Sequence, residues 1–128
     1  MKVTPAAAVV FALAGLQGCS VASDPTEGIV CTANFAYGIN VHVLDSLTNT
    51  SAATGAKLVA RSGTFADSTT GSFGGTGDTM VAAGEHAGTF TLTITKTGYK
   101  DWVKTGVVVT KDECHVIPVT LTALLQKP

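Results

Sequence analysis

The chain contains little charge and no run of basic residues. Only 13% of its 128 residues are Asp, Glu, Lys or Arg, and its formal net charge is −1. Domains that bind nucleic acid usually concentrate Lys and Arg on one face, so the composition argues against a nucleic-acid partner. The acidic excess is also too small to indicate a cationic partner, because nine acidic residues face eight basic ones.

The motifs of common metal and catalytic sites are missing as well. The three histidines lack a short ligand spacing such as HxH or HExxH, and Asp45, Asp67 and Asp78 stand apart, unlike a calcium loop. No GxSxG nucleophile motif occurs. The glycine cluster at residues 74–77 precedes neither a lysine nor a helical pattern, which argues against a phosphate loop. The sequence therefore predicts no metal, no cofactor and no catalytic residue.

Helical periodicity is missing after residue 28, and the one long uncharged apolar run lies at the N-terminus. That run extends from Ala6 to Leu16 and follows a single early positive charge, Lys2. It has the length and flanks of a secretory signal peptide and is too short to span a bilayer as a mature helix. We therefore predict a signal peptide over residues 1–18.

The signal ends in Leu16-Gln17-Gly18-Cys19, which resembles a bacterial lipobox. In lipoproteins with this signal the cysteine is alkylated by a diacylglyceryl group and becomes the acylated first residue. The resemblance implies that Cys19 anchors the protein in a membrane, since each buried CH₂ contributes about 0.8 kcal/mol. Because Ser20 is not aspartate, the resemblance favours the outer membrane of a Gram-negative bacterium. The alternative is ordinary cleavage nearby, for instance after Ala22, with Cys19 discarded.

A short polar stretch separates this signal from the rest of the chain. Residues 19–28 have no hydrophobic period and contain Pro25, which is typical of a flexible tether. Fully extended, the part after Cys19 would reach roughly 30 Å at about 3.4 Å per residue. The folded domain is then predicted over residues 29–125, followed by a short tail at 126–128.

The most regular stretch of the predicted domain is residues 88–99, GTFTLTITKTGY. Phe90, Leu92 and Ile94 alternate with threonines, which is the period of two of a half-buried strand. Threonine is β-branched, so the polar positions favour extended backbone too. We predict that Phe90, Leu92 and Ile94 face a core and that Gly88 and Gly98 bound the strand.

The other apolar segments are short and are separated by turns rich in Gly, Ser and Thr. Strands are predicted at residues 39–44, 57–61, 65–69, 79–83, 105–110 and 114–125. The turn at residues 111–113 predicts that the last two form an antiparallel hairpin, and residues 71–78 are expected to form a mobile loop. Together these patterns predict an all-β fold, a single antiparallel Greek-key β-sandwich of about seven strands.

Two cysteines remain after Cys19, and the predicted export places them where disulfides persist. Cys31 lies in the first apolar segment, residues 28–32, and Cys114 opens the last predicted strand. A bridge between them would close a loop of about 84 residues, for which chain entropy predicts roughly 4 to 5 kcal/mol of stabilisation. The alternative is two separate buried thiols.

Several short motifs together resemble a carboxypeptidase regulatory-like domain. They are Gly38-Ile39-Asn40-Val41-His42-Val43-Leu44-Asp45, Thr48, Gly55-Ala56, Gly88-Thr89-Phe90-Thr91-Leu92 and Gly98-Tyr99. The resemblance covers about residues 30–125 and implies a seven-stranded, transthyretin-like sandwich. It also implies a non-catalytic module for folding, spacing or protein contact. We expect a monomer that binds an envelope protein or a glycan.

Hydroxyisourate hydrolases share the transthyretin fold and give an alternative interpretation. His42-Val43-Leu44-Asp45 and His115-Val116-Ile117-Pro118 are similar to the two histidine segments of those enzymes. The enzymes also use an arginine and a C-terminal Tyr-Arg-Gly-Ser. Here the last five residues are Leu-Leu-Gln-Lys-Pro, and Arg61 is the only arginine. Because the motif set is incomplete, we expect no enzyme activity.

One group of residues forms a candidate binding patch. Tyr99, Lys100 and Trp102 lie close together in sequence and could bind a sugar or a protein, together with the 71–78 loop. A carbohydrate-binding or adhesive module is therefore a further alternative. The competing interpretation is that Trp102 caps the open end of the sandwich.

Overall fold

The computed structural model describes Gly28 and residues 30–128. The predicted signal peptide, Cys19 and nearly all of the tether lie outside the described residues. Within that part of the chain the fold is all-β, and no helix is long and apolar enough to cross a membrane. Its strands are β1 (Tyr37–Asp45), β2 (Lys57–Ser62), β3 (Phe65–Thr70), β4 (Thr79–Gly84), β5 (Gly88–Thr95), β6 (Trp102–Lys111), β7 (Val116–Ile117) and β8 (Val119–Leu125).

The strands form two sheets, an arrangement consistent with the predicted sandwich. The first sheet has the order β4-β1-β8, and the second has the order β3-β2-β5-β6-β7. Side chains from both sheets meet in one hydrophobic core. Sheets bury one apolar face each when they pack in this way, which explains why the strands alternate in burial.

The pairing of β8 with β1 corrects the prediction of a wholly antiparallel fold. β8 runs parallel to β1, with Ile39 opposite Val119 and Asp45 opposite Leu125. The other pairs of named strands in the described chain are antiparallel. Alternating side chains predict which face of a strand is buried, but they carry no information on the direction of its neighbour.

The predicted strand at residues 114–125 is in fact two strands in two sheets. Val116 and Ile117 pair with the end of β6, so a short antiparallel hairpin does exist. Pro118 follows, and β8 then joins the other sheet. Proline has no backbone N–H to continue a ladder, which makes it a suitable point for the chain to change sheets.

Two further strand boundaries differ from the prediction. β5 ends at Thr95 rather than near Gly98, because residues 96–99 form a turn in which the Tyr99 amide donates to the Lys96 carbonyl at 3.1 Å. β6 begins at Trp102, three residues earlier than predicted. The pairing of β5 with β6 shifts register between Phe90 and Leu92, because β6 advances three residues there, from Val107 to Lys104, while β5 advances two. Such a bulge interrupts the alternation of β6 and leaves that of β5 intact.

The predicted core face of β5 is confirmed. Phe90, Leu92 and Ile94 are fully buried, whereas Thr91 is exposed. They share the core with fully buried residues of the other sheet, including Ile39, Val41 and Val43 from β1 and Ala123 and Leu125 from β8. Because β5 and β1 each have sheet neighbours on both sides, these residues lie in the middle of the fold.

One side of the two-sheet structure is closed by side chains instead of a strand pair. β3 and β4 are edge strands of different sheets. The Thr69 hydroxyl donates to the Val81 carbonyl at 2.8 Å, and the Ala83 amide donates to Asp67 Oδ2 at 2.9 Å. Since unpaired edge groups invite association with other strands, these bonds protect the edge of β4.

A buried carboxylate closes the end of β1. Asp45 Oδ2 accepts from the Tyr99 hydroxyl at 2.7 Å, and Oδ1 accepts from the amides of Leu47 and Thr48 at 2.8 and 3.1 Å. The Tyr99 bond, followed by the two backbone bonds, lowers the pKa of Asp45 to about 2. The same bond raises the pKa of Tyr99. Asp45 thus joins the loop after β1 to the turn between β5 and β6.

We expect Leu92→Ala to lower the free energy of unfolding by about 2 to 5 kcal/mol, because it empties a fully buried site. Thr91→Ala, one residue away on the exposed face, should cost less than half as much. Urea unfolding followed by circular dichroism measures both values. Equal losses at the two positions would contradict the assignment of inner and outer faces.

We expect Tyr99→Phe to destabilise the protein at neutral pH and to do so less as the solution becomes acidic. The folded-state pKa of Asp45 is depressed, so its ionised form stabilises the fold above the ordinary pKa of 3.8, and this stabilisation is lost as the pH falls towards about 2. Melting temperatures of wild type and Tyr99→Phe at pH 7, 4 and 2 test this. A difference between the two proteins that stays constant from pH 7 to pH 2 would rule out the linkage.

Candidate functional site at the disulfide end

The predicted disulfide joins the start of the described chain to the turn between β6 and β7. Cys31 and Cys114 form it, with their Cα atoms 5.1 Å apart and a separation of 83 positions in sequence. The predicted tether therefore meets the domain at a covalent cross-link. We call this end of the fold, where β1 and β8 begin, the disulfide end.

A histidine and a glutamate fasten the segment between Cys31 and β1 to the rest of the domain. His115 Nδ1 lies 2.8 Å from Glu85 Oε1, and its Nε2 lies 3.1 Å from the Thr32 carbonyl oxygen. Glu85 Oε1 also accepts from the Ala36 amide at 2.6 Å. The Glu85 carboxylate thus contacts the Ala36 amide, directly before β1, and the His115 ring, which in turn contacts Thr32.

The contacts of His115 favour its protonated form. Both ring nitrogens face acceptor oxygens, and only the imidazolium has two N–H groups to donate. The bond to Glu85 raises the pKa of His115, although partial burial opposes the rise. The pKa of Glu85 is lowered, chiefly by the Ala36 amide and also by His115.

Asp112 shapes the turn that carries the disulfide and His115. Its Oδ1 accepts from the amides of Cys114 and His115, each at 2.8 Å. These backbone bonds lower the pKa of Asp112. An open cleft of about 750 Å³ lies beside the turn, between it and the segment after Cys31; its walls are Thr32, Ala33, Asn34, Phe35, Glu85 and residues 111–116.

A row of three aromatic rings begins at Phe35 in the wall of this cleft. The Phe35 and Tyr37 ring centroids are 5.1 Å apart, and those of Tyr37 and Phe73 are 5.5 Å apart, both edge to face. Phe35 remains 63% exposed and Phe73 59% exposed. Phe35 rests on Gly84, where a Cβ atom would lie 2.2 Å from the ring, so only glycine leaves it room. We call Phe35, Tyr37 and Phe73 the aromatic row.

The aromatic row was not predicted from the sequence. Phe35 and Tyr37 are two residues apart, a spacing that could have indicated a shared strand face. Phe73 lies in the glycine-rich 71–78 segment, where the structure has a short 3₁₀ turn at Phe73–Gly75. This segment is held at its end, because the Ser51 hydroxyl donates to the Gly77 carbonyl and the Val43 amide donates to the Asp78 carbonyl, both at 2.8 Å.

The two histidines of the hydrolase alternative lie in separate networks. His42 Nδ1 contacts Asp78 Oδ1 at 3.0 Å and the Thr79 hydroxyl at 3.2 Å, and none of these groups contacts His115. In a Ser-His-Asp triad the nucleophile and the acid bind opposite ring nitrogens, whereas here both contact Nδ1. His42 lies six residues along the chain from the Ala36 amide, about 20 Å at strand rise.

Arg61 is likewise not beside either histidine network. It lies on β2 between Ala66 of β3 and Thr91 of β5, and its side chain is exposed. In the part of the chain that the structure describes, no group of three or more His, Cys, Asp or Glu residues is arranged to hold a metal ion.

The residues of the predicted binding patch have different surroundings. Tyr99 donates its hydroxyl to Asp45. Trp102 opens β6 opposite Ile94, is half-buried and packs against the core, as the capping interpretation requires. Its open side borders a shallow cleft with Val103, Thr122 and Leu124. The 71–78 segment does not join this patch, because its aromatic residue, Phe73, contacts Tyr37 in the aromatic row.

We expect the exported protein to contain no thiol that can be alkylated until it is reduced. Reduction should lower its melting temperature, because the unfolded chain regains the freedom that the cross-link removes. Maleimide labelling followed by mass spectrometry, with and without reductant, measures the first effect, and thermal unfolding measures the second. Thiols that react at Cys31 and Cys114 in the native protein would disprove the pairing.

Comparison with known proteins finds no match to this chain. No protein-family model matches it. No curated protein and no solved structure is found to be similar to it either.

Proposed function

We propose that this protein is a lipid-anchored module of the cell envelope, with a non-catalytic binding or spacing role. The observation that carries the proposal is the disulfide at the first described residues, directly after the predicted tether. Disulfides persist in exported proteins and are rare in the cytoplasm, so a cysteine pair placed at bonding distance supports export alongside the predicted signal peptide. The lipobox-like Cys19 then supplies the anchor, in the outer membrane of a Gram-negative bacterium.

The proposed domain type is a carboxypeptidase regulatory-like, transthyretin-like Greek-key sandwich. The two-sheet, all-β architecture supports this assignment. The described chain has eight strands, with β7 and β8 in different sheets, so the two-sheet architecture and not the strand count supports the assignment. We propose a monomer whose partner is another envelope component, a protein or a glycan.

The contacts of the titratable groups support a non-catalytic role. General acid–base catalysis requires a proton-transfer group that can reach substrate. Both ring nitrogens of His115 contact groups of the fold, and Asp45, Glu85 and Asp112 accept backbone N–H groups. Each of these side chains already binds a group of the fold. To act on a substrate, it would first have to break that hydrogen bond.

The proposal is tested by producing the full chain in a Gram-negative host and separating its membranes. Wild type should carry acyl chains and fractionate with the outer membrane, whereas Cys19→Ala should be released, because the anchor is lost. Ser20→Ala is the matched control and should behave as wild type. Continued membrane association of Cys19→Ala, or absence of acyl label from wild type, would contradict the proposal.

The same preparations distinguish the enzyme alternative. Released Cys19→Ala protein should not accelerate hydroxyisourate decay above buffer. The hydrolase interpretation would replace the binding module if wild type accelerates the decay and both His42→Ala and His115→Ala lose this effect. Their circular dichroism spectra must be unchanged.

A further inference from the structure

We propose that the aromatic row rests on the membrane surface to which the protein is anchored, with Phe35 and Phe73 in contact with lipid. The inference rests on the proposed lipid anchor and extends it, because it assigns an orientation and a lipid-binding surface to the domain. It starts from the two rings that the fold leaves more than half exposed at one end.

The exposed rings are fixed in place by the fold. Tyr37 lies between them and contacts both edge to face. Phe35 sits on the backbone of Gly84, and Phe73 belongs to a turn held between β3 and β4. Exposed aromatic side chains that a fold holds outward mark contact surfaces, because burying them from water is favourable.

The short predicted tether indicates that the partner of the aromatic row is a lipid surface. Cys31 follows the predicted anchor Cys19 by twelve positions, a distance of at most about 40 Å. Phe35 follows Cys31 by only four residues, so its ring lies at the end of the domain where the tether attaches. The opposite end, with Leu47 just beyond β1, lies farther away by roughly 25 Å, the length of that strand.

Tethering also explains why so small a patch is sufficient. A patch of two phenylalanines would bind vesicles weakly from solution. Held by the short predicted tether, it would experience an effective concentration in the millimolar range, so that weak contact becomes the prevailing state. Rings in such contact lie about 5 to 10 Å deep, at the boundary between headgroups and acyl chains.

The acidic groups near the row do not prevent this contact. Glu85 accepts the Ala36 amide and contacts His115, and Asp112 accepts two turn amides. Glu113 and Lys111 border the cleft with opposite charges. Because the surface has no cationic cluster, the recognised chemistry is the apolar interface of the bilayer rather than an anionic headgroup.

The test uses the full lipidated chain in phosphatidylcholine vesicles that contain acyl-brominated lipid. Trp102 is the only tryptophan, so Trp102→Phe provides a background for single reporters. Phe35→Trp should be quenched roughly threefold or more relative to Leu47→Trp, since only the first reaches the acyl boundary. Leu47 is the matched control because it is 80% exposed at the opposite end. Phe73→Trp is a second reporter in case Phe35→Trp perturbs the fold.

Equal quenching of Phe35→Trp and Leu47→Trp, in protein that floats with the vesicles, would overturn the inference and leave the anchor intact. Protein that fails to float would instead reject the anchor. Quenching absent from vesicles but an emission shift with soluble peptidoglycan fragments would assign the row to a glycan and also overturn the inference.

Hydrogen exchange on the unaltered lipidated protein tests the same contact without substitutions. Amides at residues 34–37 and 73–75 should exchange more slowly on vesicles than in released Cys19→Ala, while those around Leu47 should not change. Equal exchange rates in the two forms at residues 34–37 and 73–75 would count against membrane seating.

Discussion

The parallel pairing of β8 with β1 is the constraint on which the arrangement of this domain depends. Parallel neighbours begin at the same end of a sheet, so the segments that precede β1 and β8 must meet there. Those segments contain Cys31 and Cys114. Had β8 run antiparallel, the two cysteines would lie at opposite ends of a strand about 25 Å long, too far apart for a disulfide. The cleft, the Glu85–His115 pair and the point where the predicted tether enters all lie at this end of the fold.

Acidic side chains are used mainly to bind backbone amides. Asp45 accepts two amides after β1, and Asp112 accepts two in the disulfide turn. Asp67 and Glu85 each accept one amide from a neighbouring segment. Each bond satisfies a donor that no strand partner reaches, and a carboxylate does so more strongly than a neutral acceptor. Although the chain has few charges, four of its carboxylates therefore accept hydrogen bonds from backbone amides.

The sequence predicted the elements better than it predicted their neighbours. The inward face of β5 follows from its alternation, and the cysteine pair follows from counting, because both signals are local or arithmetical. The change of sheet at Pro118 and the bulge opposite Phe90 depend on which strands are adjacent, which a single sequence does not contain. The same limit applies to sites: Phe73 meets Tyr37 across 36 positions, and Tyr99 meets Asp45 across 54.

The position of the disulfide determines how the domain would bear a mechanical load from the proposed anchor. A force applied to the chain before Cys31 would divide at the disulfide. Part of the force would pass to Cys114 in the turn before β7, and the rest would pass to the start of β1. Since β1 and β8 are parallel, the two ends that receive the load lie side by side, and tension reaches both strands along their length. Pulled from the same end, β1 and β8 would move together instead of sliding past each other, and their pairing would stay intact. The cross-link would therefore keep tension from the proposed anchor from entering the fold through the first strand alone.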